Sequence, residues 1–167
     1  MIDETDLKIL EVLQRRARTT RGELAETIGL SIPSVSERLR KLEEAGIVRG
    51  YLTTIDYRAL GYDVSAFIAV TVDSSKHYKS FLTRVEAEEE VLECHAVTGK
   101  GTHLLKVRAR NTAALEKLLS RIQSWDGVAQ TVTNLVLSSP KETTYVPLVT
   151  KRPASGARDS GDGSRKN

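Results

Sequence analysis

Apolar residues in the first third of the chain recur at helical spacing. Ile9, Leu10, Leu13 and Ala17 draw one stripe along a helix over about residues 4–17. Asp3, Glu4 and Asp6 suit the positive end of its dipole. A second helix starts at Thr20 with the capping box Thr20-x-x-Glu23, and Leu24, Ala25 and Ile28 form its inner face. Gly29 suits a left-handed stop. Ser31 caps a third helix, Pro33 is tolerated in its first turn, and Gly46 follows its end near Ala45. Ile47 to Tyr57 reads as a strand, a wing-like element. Two helices joined by a tight glycine turn, the second with a basic outer face and a strand after it, are the layout of a helix-turn-helix DNA reader.

The pattern changes after residue 63. Val64–Val72 alternates as a strand, and Tyr78, Phe81, Leu82 and Val85 make a helical stripe. Val91–Thr98 is a strand, Gly99-Lys100-Gly101 a turn, and Leu104–Ala109 the returning strand. Leu115, Leu118, Leu119 and Ile122 mark another helix, and Val128–Leu137 the last strand. This β-α-β-β-α-β order predicts a ferredoxin-like domain, two helices on one face of a four-stranded antiparallel sheet. The other face needs a cover, for which a symmetric partner is the simplest choice. The fold class is therefore α+β, with a winged helix-turn-helix domain over residues 1–60 and a ferredoxin-like domain over 61–149. Residues 150–167 contain no large apolar side chain beyond that point and read as a disordered basic tail, either solubilising or touching DNA phosphates.

Composition adds limits. The chain has 167 residues, 40% hydrophobic and 28% charged. No apolar run approaches the ~20 residues a membrane helix needs, and the acidic start lacks a signal peptide's features. Membrane partners are not expected, and a cytoplasmic location is. Net charge is +3, but residues 1–60 carry ten basic and ten acidic side chains, as do residues 61–150, so the excess lies in the tail. DNA binding must rest on local charge.

The third helix supplies that charge. Val35, Leu39 and Leu42 share the inward face, and Pro33, Ser34, Ser36, Glu37, Arg40 and Lys41 lie opposite. Ser34, Ser36 and Glu37 reach base edges or phosphates, while Arg40 and Lys41 are the better-placed cations. Arg38 sits at the border, open to a DNA contact or to bracing against an acid of the first helix. Ser31 at the helix start and Arg21 complete the candidate DNA-binding set. The run Arg15, Arg16, Arg18 and Arg21 is either a phosphate clamp or a solvated loop.

Taken in order, these stretches resemble the Lrp/AsnC, or feast/famine, regulators. The match covers residues 2–147 through Asp6-Leu7-Lys8-Ile9-Leu10, Glu23-Leu24-Ala25, Ile28-Gly29-Leu30-Ser31, Glu37-Arg38-Leu39-Arg40-Lys41-Leu42-Glu43 and Gly46-Ile47-Val48-Arg49-Gly50-Tyr51. It continues through Glu93-Cys94-His95-Ala96-Val97-Thr98-Gly99, Leu104-Leu105-Lys106-Val107 and Thr131-x-Thr133. The resemblance implies a transcription regulator that dimerises through its second domain, called RAM, assembles in many relatives into octamers, and binds an amino acid or other small effector in clefts between dimers. It carries Thr98, Gly99, Lys100, Gly101, Thr102, Thr131 and Thr133 over as effector-binding positions. The family loop is usually Gly-x-x-Asp. Here Thr102 replaces the Asp, so no carboxylate there holds an α-ammonium, although a hydroxyl remains and Lys100 attracts a carboxylate.

Competing chemistry is thin. Gly99-Lys100-Gly101-Thr102 lacks the spacing and following helix of a phosphate loop. Cys94 and His95 are adjacent on a strand and face opposite ways, so with His103 they make no metal site. Glu88-Glu89-Glu90 reads as a solvated charge run, and Trp125 as packed at a turn. No cofactor and no catalytic residue is expected. Two alternatives stay open: a DNA-bending architectural protein with weak sequence preference, and a tetrapyrrole decarboxylase, since some haem-pathway decarboxylases resemble this architecture.

Overall fold

Each helix of the N-terminal third begins at a side chain that satisfies its free backbone N–H groups. The computed structural model describes residues 2–148. Asp3 caps α1 (Glu4–Arg15) in a reciprocal box with Asp6. Thr20 and Glu23 form the anticipated box at α2 (Arg21–Ile28). Ser31 caps α3 (Ile32–Glu44) through the N–H of Ser34. Gly29 ends α2 at φ 75°, where a Cβ would be strained, and lets the chain turn at once into α3. Ile9, Leu24 and Val35, one from each helix, are fully buried at the centre of the trihelical core.

The expected strand over Ile47–Tyr57 does not form. A strand exists only against a ladder partner, and among the described residues none lies beside this segment. Its first amides turn back instead, Ile47 and Val48 both donating to the carbonyl of Leu42. At the far end the Asp56 carboxylate accepts from the amides of Arg58 and Ala59 and starts a turn.

The remaining elements are β1 (Val64–Val72), α4 (Tyr78–Ala87) after a short 3-10 turn, β2 (Val91–Ala96), β3 (His103–Ala109), α5 (Thr112–Gln123) and β4 (Val128–Leu135). The sheet is antiparallel throughout, in the order β2-β3-β1-β4. β2 ends short of the predicted Thr98, and β4 short of Leu137. Strict alternation along β3 buries His103, Leu105, Val107 and Ala109 under α4 and α5. Phe81 and Trp125 close this core edge to face, 5.8 Å between ring centroids. Leu82, placed on the same helical stripe by spacing, is instead 40% exposed.

Part of the opposite sheet face stays open in the single chain. Phe67 and Val132 lie on it, 37% and 41% exposed. Glu88-Glu89-Glu90 is more than a solvated run: Glu88 and Glu90 both accept from Arg121, tying the α4–β2 connection to α5.

The chain divides into two units, one ending at Thr53 and resuming at Thr143, the other Thr54–Glu142. The boundary drawn at 61–149 thus loses its last residues: Tyr145 and Val146 pack on α1. Tyr145 donates to the Glu11 carboxylate at 2.8 Å and lies under the Arg15 guanidinium, and Gln14 exchanges two hydrogen bonds with the Val146 backbone. The tail expected at 150–167 lies outside the described residues.

Candidate nucleic-acid interface and ligand loop

The trihelical core sets the outward face of α3. Val35, Leu39 and Leu42 are buried, so Pro33, Ser34, Glu37, Arg40 and Lys41 are exposed and Ser36 is half-buried. Ser31 and Ser34 pair through their hydroxyls, 2.9 Å apart, at the helix start. Arg21 stands exposed at the first position of α2.

Of the two roles open to Arg38, the geometry supports the brace. Its Nη1 donates to Asp3 Oδ2 and Asp6 Oδ1, both at 2.7 Å, locking α3 to the start of α1. The Asp6 amide and then the Arg38 guanidinium hold the Asp3 carboxyl below the usual range.

Arg40 and Lys41 project from the helix, as their positions imply, yet neither is a free cation. Arg40 donates to Glu37 through Nε at 3.0 Å and Nη2 at 2.8 Å, and to Glu44 through Nη1. Lys41 Nζ lies 3.4 Å from Glu37. Spacing of three and four along a helix makes such pairs, so the sequence carried the signal. In the basic run, Arg15 pairs with Glu11 and Tyr145, while Arg16, Arg18 and Arg21 are exposed.

The loop that the family resemblance marks as effector-binding connects β2 to β3. Thr98, Gly99 and Lys100 are exposed at its tip. Gly101 has φ 84°, and a Cβ there would sit 3.0 Å from the carbonyl of Val70. The loop closes that tightly because the Thr102 amide donates to the same carbonyl at 2.9 Å.

The Thr102 side chain points inward. Its Oγ1 accepts from the Val72 amide at 3.0 Å, donates to Val70 O at 3.2 Å, and lies 2.9 Å from His103 Nδ1. One arrangement satisfies all three: His103 carries its proton on Nδ1 and donates to Thr102. The hydroxyl left for a ligand by the Asp replacement is therefore occupied by the fold. Thr131 and Thr133 lie on β4, opposite Val70 and Ile68, across β1 from the loop. Thr131 accepts from Gln123 of α5 at 2.8 Å.

Cys94 is half-buried toward the core and His95 exposed beside Glu93, on opposite faces as their adjacency requires. Among the described residues no cluster of three metal-ligating side chains exists, and no helix is long and apolar enough to cross a membrane.

Sequence reasoning missed one cluster. Arg108 stacks 3.5 Å over the Tyr57 ring, and Glu142 bridges Arg108 and Lys106, each at 2.9 Å. Only the alternation that puts Lys106 and Arg108 on the open face hinted at it.

A trihelical unit presenting a capped, charged third helix, joined to an open-faced four-stranded α+β unit, defines a two-unit helix-turn-helix regulator. Residues 2–49 match the winged helix-turn-helix DNA-binding family, and residues 65–146 the Lrp/AsnC ligand-binding domain. The chain belongs to the Lrp/AsnC family of transcription regulators. It is 37% identical to regulatory protein AsnC of Escherichia coli, over 88% of this chain and 97% of that protein. It is 35% identical to the transcriptional regulator FL11 of Pyrococcus horikoshii, with the same coverage of both chains. Among solved structures, a Neisseria meningitidis transcriptional regulator in complex with L-Met has a TM-score of 0.84 at 35% identity, covering 88% of this chain and 97% of that one. The feast or famine regulatory protein of M. tuberculosis complexed with L-methionine has a TM-score of 0.82 at 34% identity, covering 87% and 99%.

Proposed function

We propose that the chain works as a homodimer or larger assembly in the cytoplasm, α3 of each protomer entering a major groove of a pseudo-palindromic operator. The observation that carries this is the exposed α3 face with Arg40 and Lys41, held by a buried core and by the Arg38 brace. Two such helices meet half-sites about one DNA turn, ~34 Å, apart. The open sheet face with Phe67 and Val132 supports pairing with a second copy. The effector is an amino acid or a similar small metabolite, as the L-methionine complexes of two relatives suggest. Because Thr102 is committed to β1, recognition here draws on the exposed Thr98, Gly99 and Lys100. Regulation then requires that the effector bind one assembly state better than another.

The test is Arg40→Ala with Lys41→Ala in the full chain. Operator affinity falls about tenfold or more, the log–log salt dependence flattens by about one unit as the Lys41 phosphate contact goes, and oligomer size stays the same. Unchanged operator binding would sink the assignment. For the effector, an amino-acid panel raises the thermal midpoint with at least one member, and Gly99→Trp abolishes the rise. A panel without any shift makes this an effector-free regulator.

A further inference from the structure

Glu37 is the acid on the outward face of α3 between Ser34 and Arg40, the sixth residue of the helix. A carboxylate there repels phosphates, so a helix built only to grip the backbone gains nothing from it. Arg40 fixes its orientation with two hydrogen bonds, at 3.0 and 2.8 Å, and Glu44 holds Arg40 from the other side. These contacts engage three of the five N–H donors of Arg40. The two that remain are one on each terminal nitrogen. Arg40 holds the Glu37 carboxyl down to about 2, so it accepts and never donates at any working pH.

In a major groove an ionised carboxylate finds its partners among amino donors, on cytosine N4 and adenine N6. The adenine amine sits beside the N7 acceptor, which repels a carboxylate; the cytosine amine has no such neighbour on its own base. The two remaining Arg40 donors match the O6 and N7 acceptors of guanine. Ion pairing pre-orients both side chains, which lowers the entropy lost on docking.

We propose that Glu37 and Arg40 form one base-reading unit, Glu37 accepting from a cytosine amine and Arg40 donating to a guanine within the same base-pair step of each half-site. The proposal rests on α3 being the reading helix and adds which base it specifies. Half of the Glu37 side chain is exposed, so its substitution leaves the core intact.

Selection from randomised duplexes with the full chain tests it, comparing wild type, Glu37→Gln and Glu37→Ala after circular dichroism confirms the fold. Wild type selects a G·C pair at one position per half-site. Glu37→Ala lowers discrimination there about 5- to 100-fold while other positions keep theirs. Glu37→Gln moves the preference toward adenine, whose N6 and N7 suit a carboxamide. If both variants bind every sequence more tightly by one common factor with an unchanged base profile, Glu37 is only a charge brake and the proposal fails. A wild-type profile flat at every position also overturns it, in favour of an architectural DNA binder. The reading-helix assignment stands or falls separately, on the Arg40 and Lys41 double variant.

Discussion

His103 is the buried ionisable side chain at the junction of the β2–β3 loop and the core. Its ring packs 5.0 Å from Tyr78 and 4.8 Å from Phe81, and burial pushes its pKa down. The neutral imidazole is therefore the folded form. Below the unfolded value of about 6.5 the unfolded chain binds a proton that the folded chain resists. Stability from His103 is thus full above that pH and lost as pH falls through the lower folded pKa, by at most about 1.4 kcal/mol per pH unit. Thermal unfolding at pH 7 and pH 5 checks this: the wild-type midpoint falls more than that of His103→Gln. Its neighbour gives a sharper comparison. Thr102→Val keeps the shape but leaves the Val72 amide without its acceptor, costing about 1–3 kcal/mol. Thr102→Ser retains the hydroxyl and loses far less in the same denaturant titration. That Thr102 departs from the family pattern was visible in the sequence. That its hydroxyl faces β1 was not, because the partner amide lies thirty residues away.

At the scale of elements, caps and periodicity place the helices, and charge pairs hold them in register. Arg38→Gln removes the link between α3 and α1 and leaves Asp6, whose side chain is 12% exposed, without that donor. A loss of about 1 kcal/mol is expected. Operator affinity, measured well below the midpoint, changes less than for Arg40→Ala, which separates a brace from a DNA contact. The α2–α3 turn was legible because its devices are local: Thr20 with Glu23, Gly29, Ser31. The segment after α3 misled because apolar alternation describes a strand's faces and says nothing of its neighbour. Leu52, 82% exposed, lies in that segment without a ladder.

At the scale of the whole molecule, the proposed pairing of two copies is tested at the open sheet face. Phe67→Glu places a charge on it while leaving the core beneath untouched, since Phe67 points away from α4 and α5. Sedimentation then reports a monomer, circular dichroism a near-native helix content, and operator affinity drops because the two half-sites lose their linked readers. A mass unchanged from wild type would place the contact between copies elsewhere.

The sequence by itself determined the five helices, the four strands of the sheet, the order of the two units and the family, but not the course of Ile47–Tyr57. The elements depend on residues within a few positions of one another, as in a cap, a stripe or an alternation, and the family on the order of those local stretches along the chain. Tertiary structure decided which charges are free and which are spent. Tyr145 meets Glu11 across more than a hundred residues, Arg38 meets Asp3 and Asp6, and Thr102 turns toward Val72. Hydrogen bonds of that kind depend on distances set only once the cores of both units close, so no local pattern encodes them.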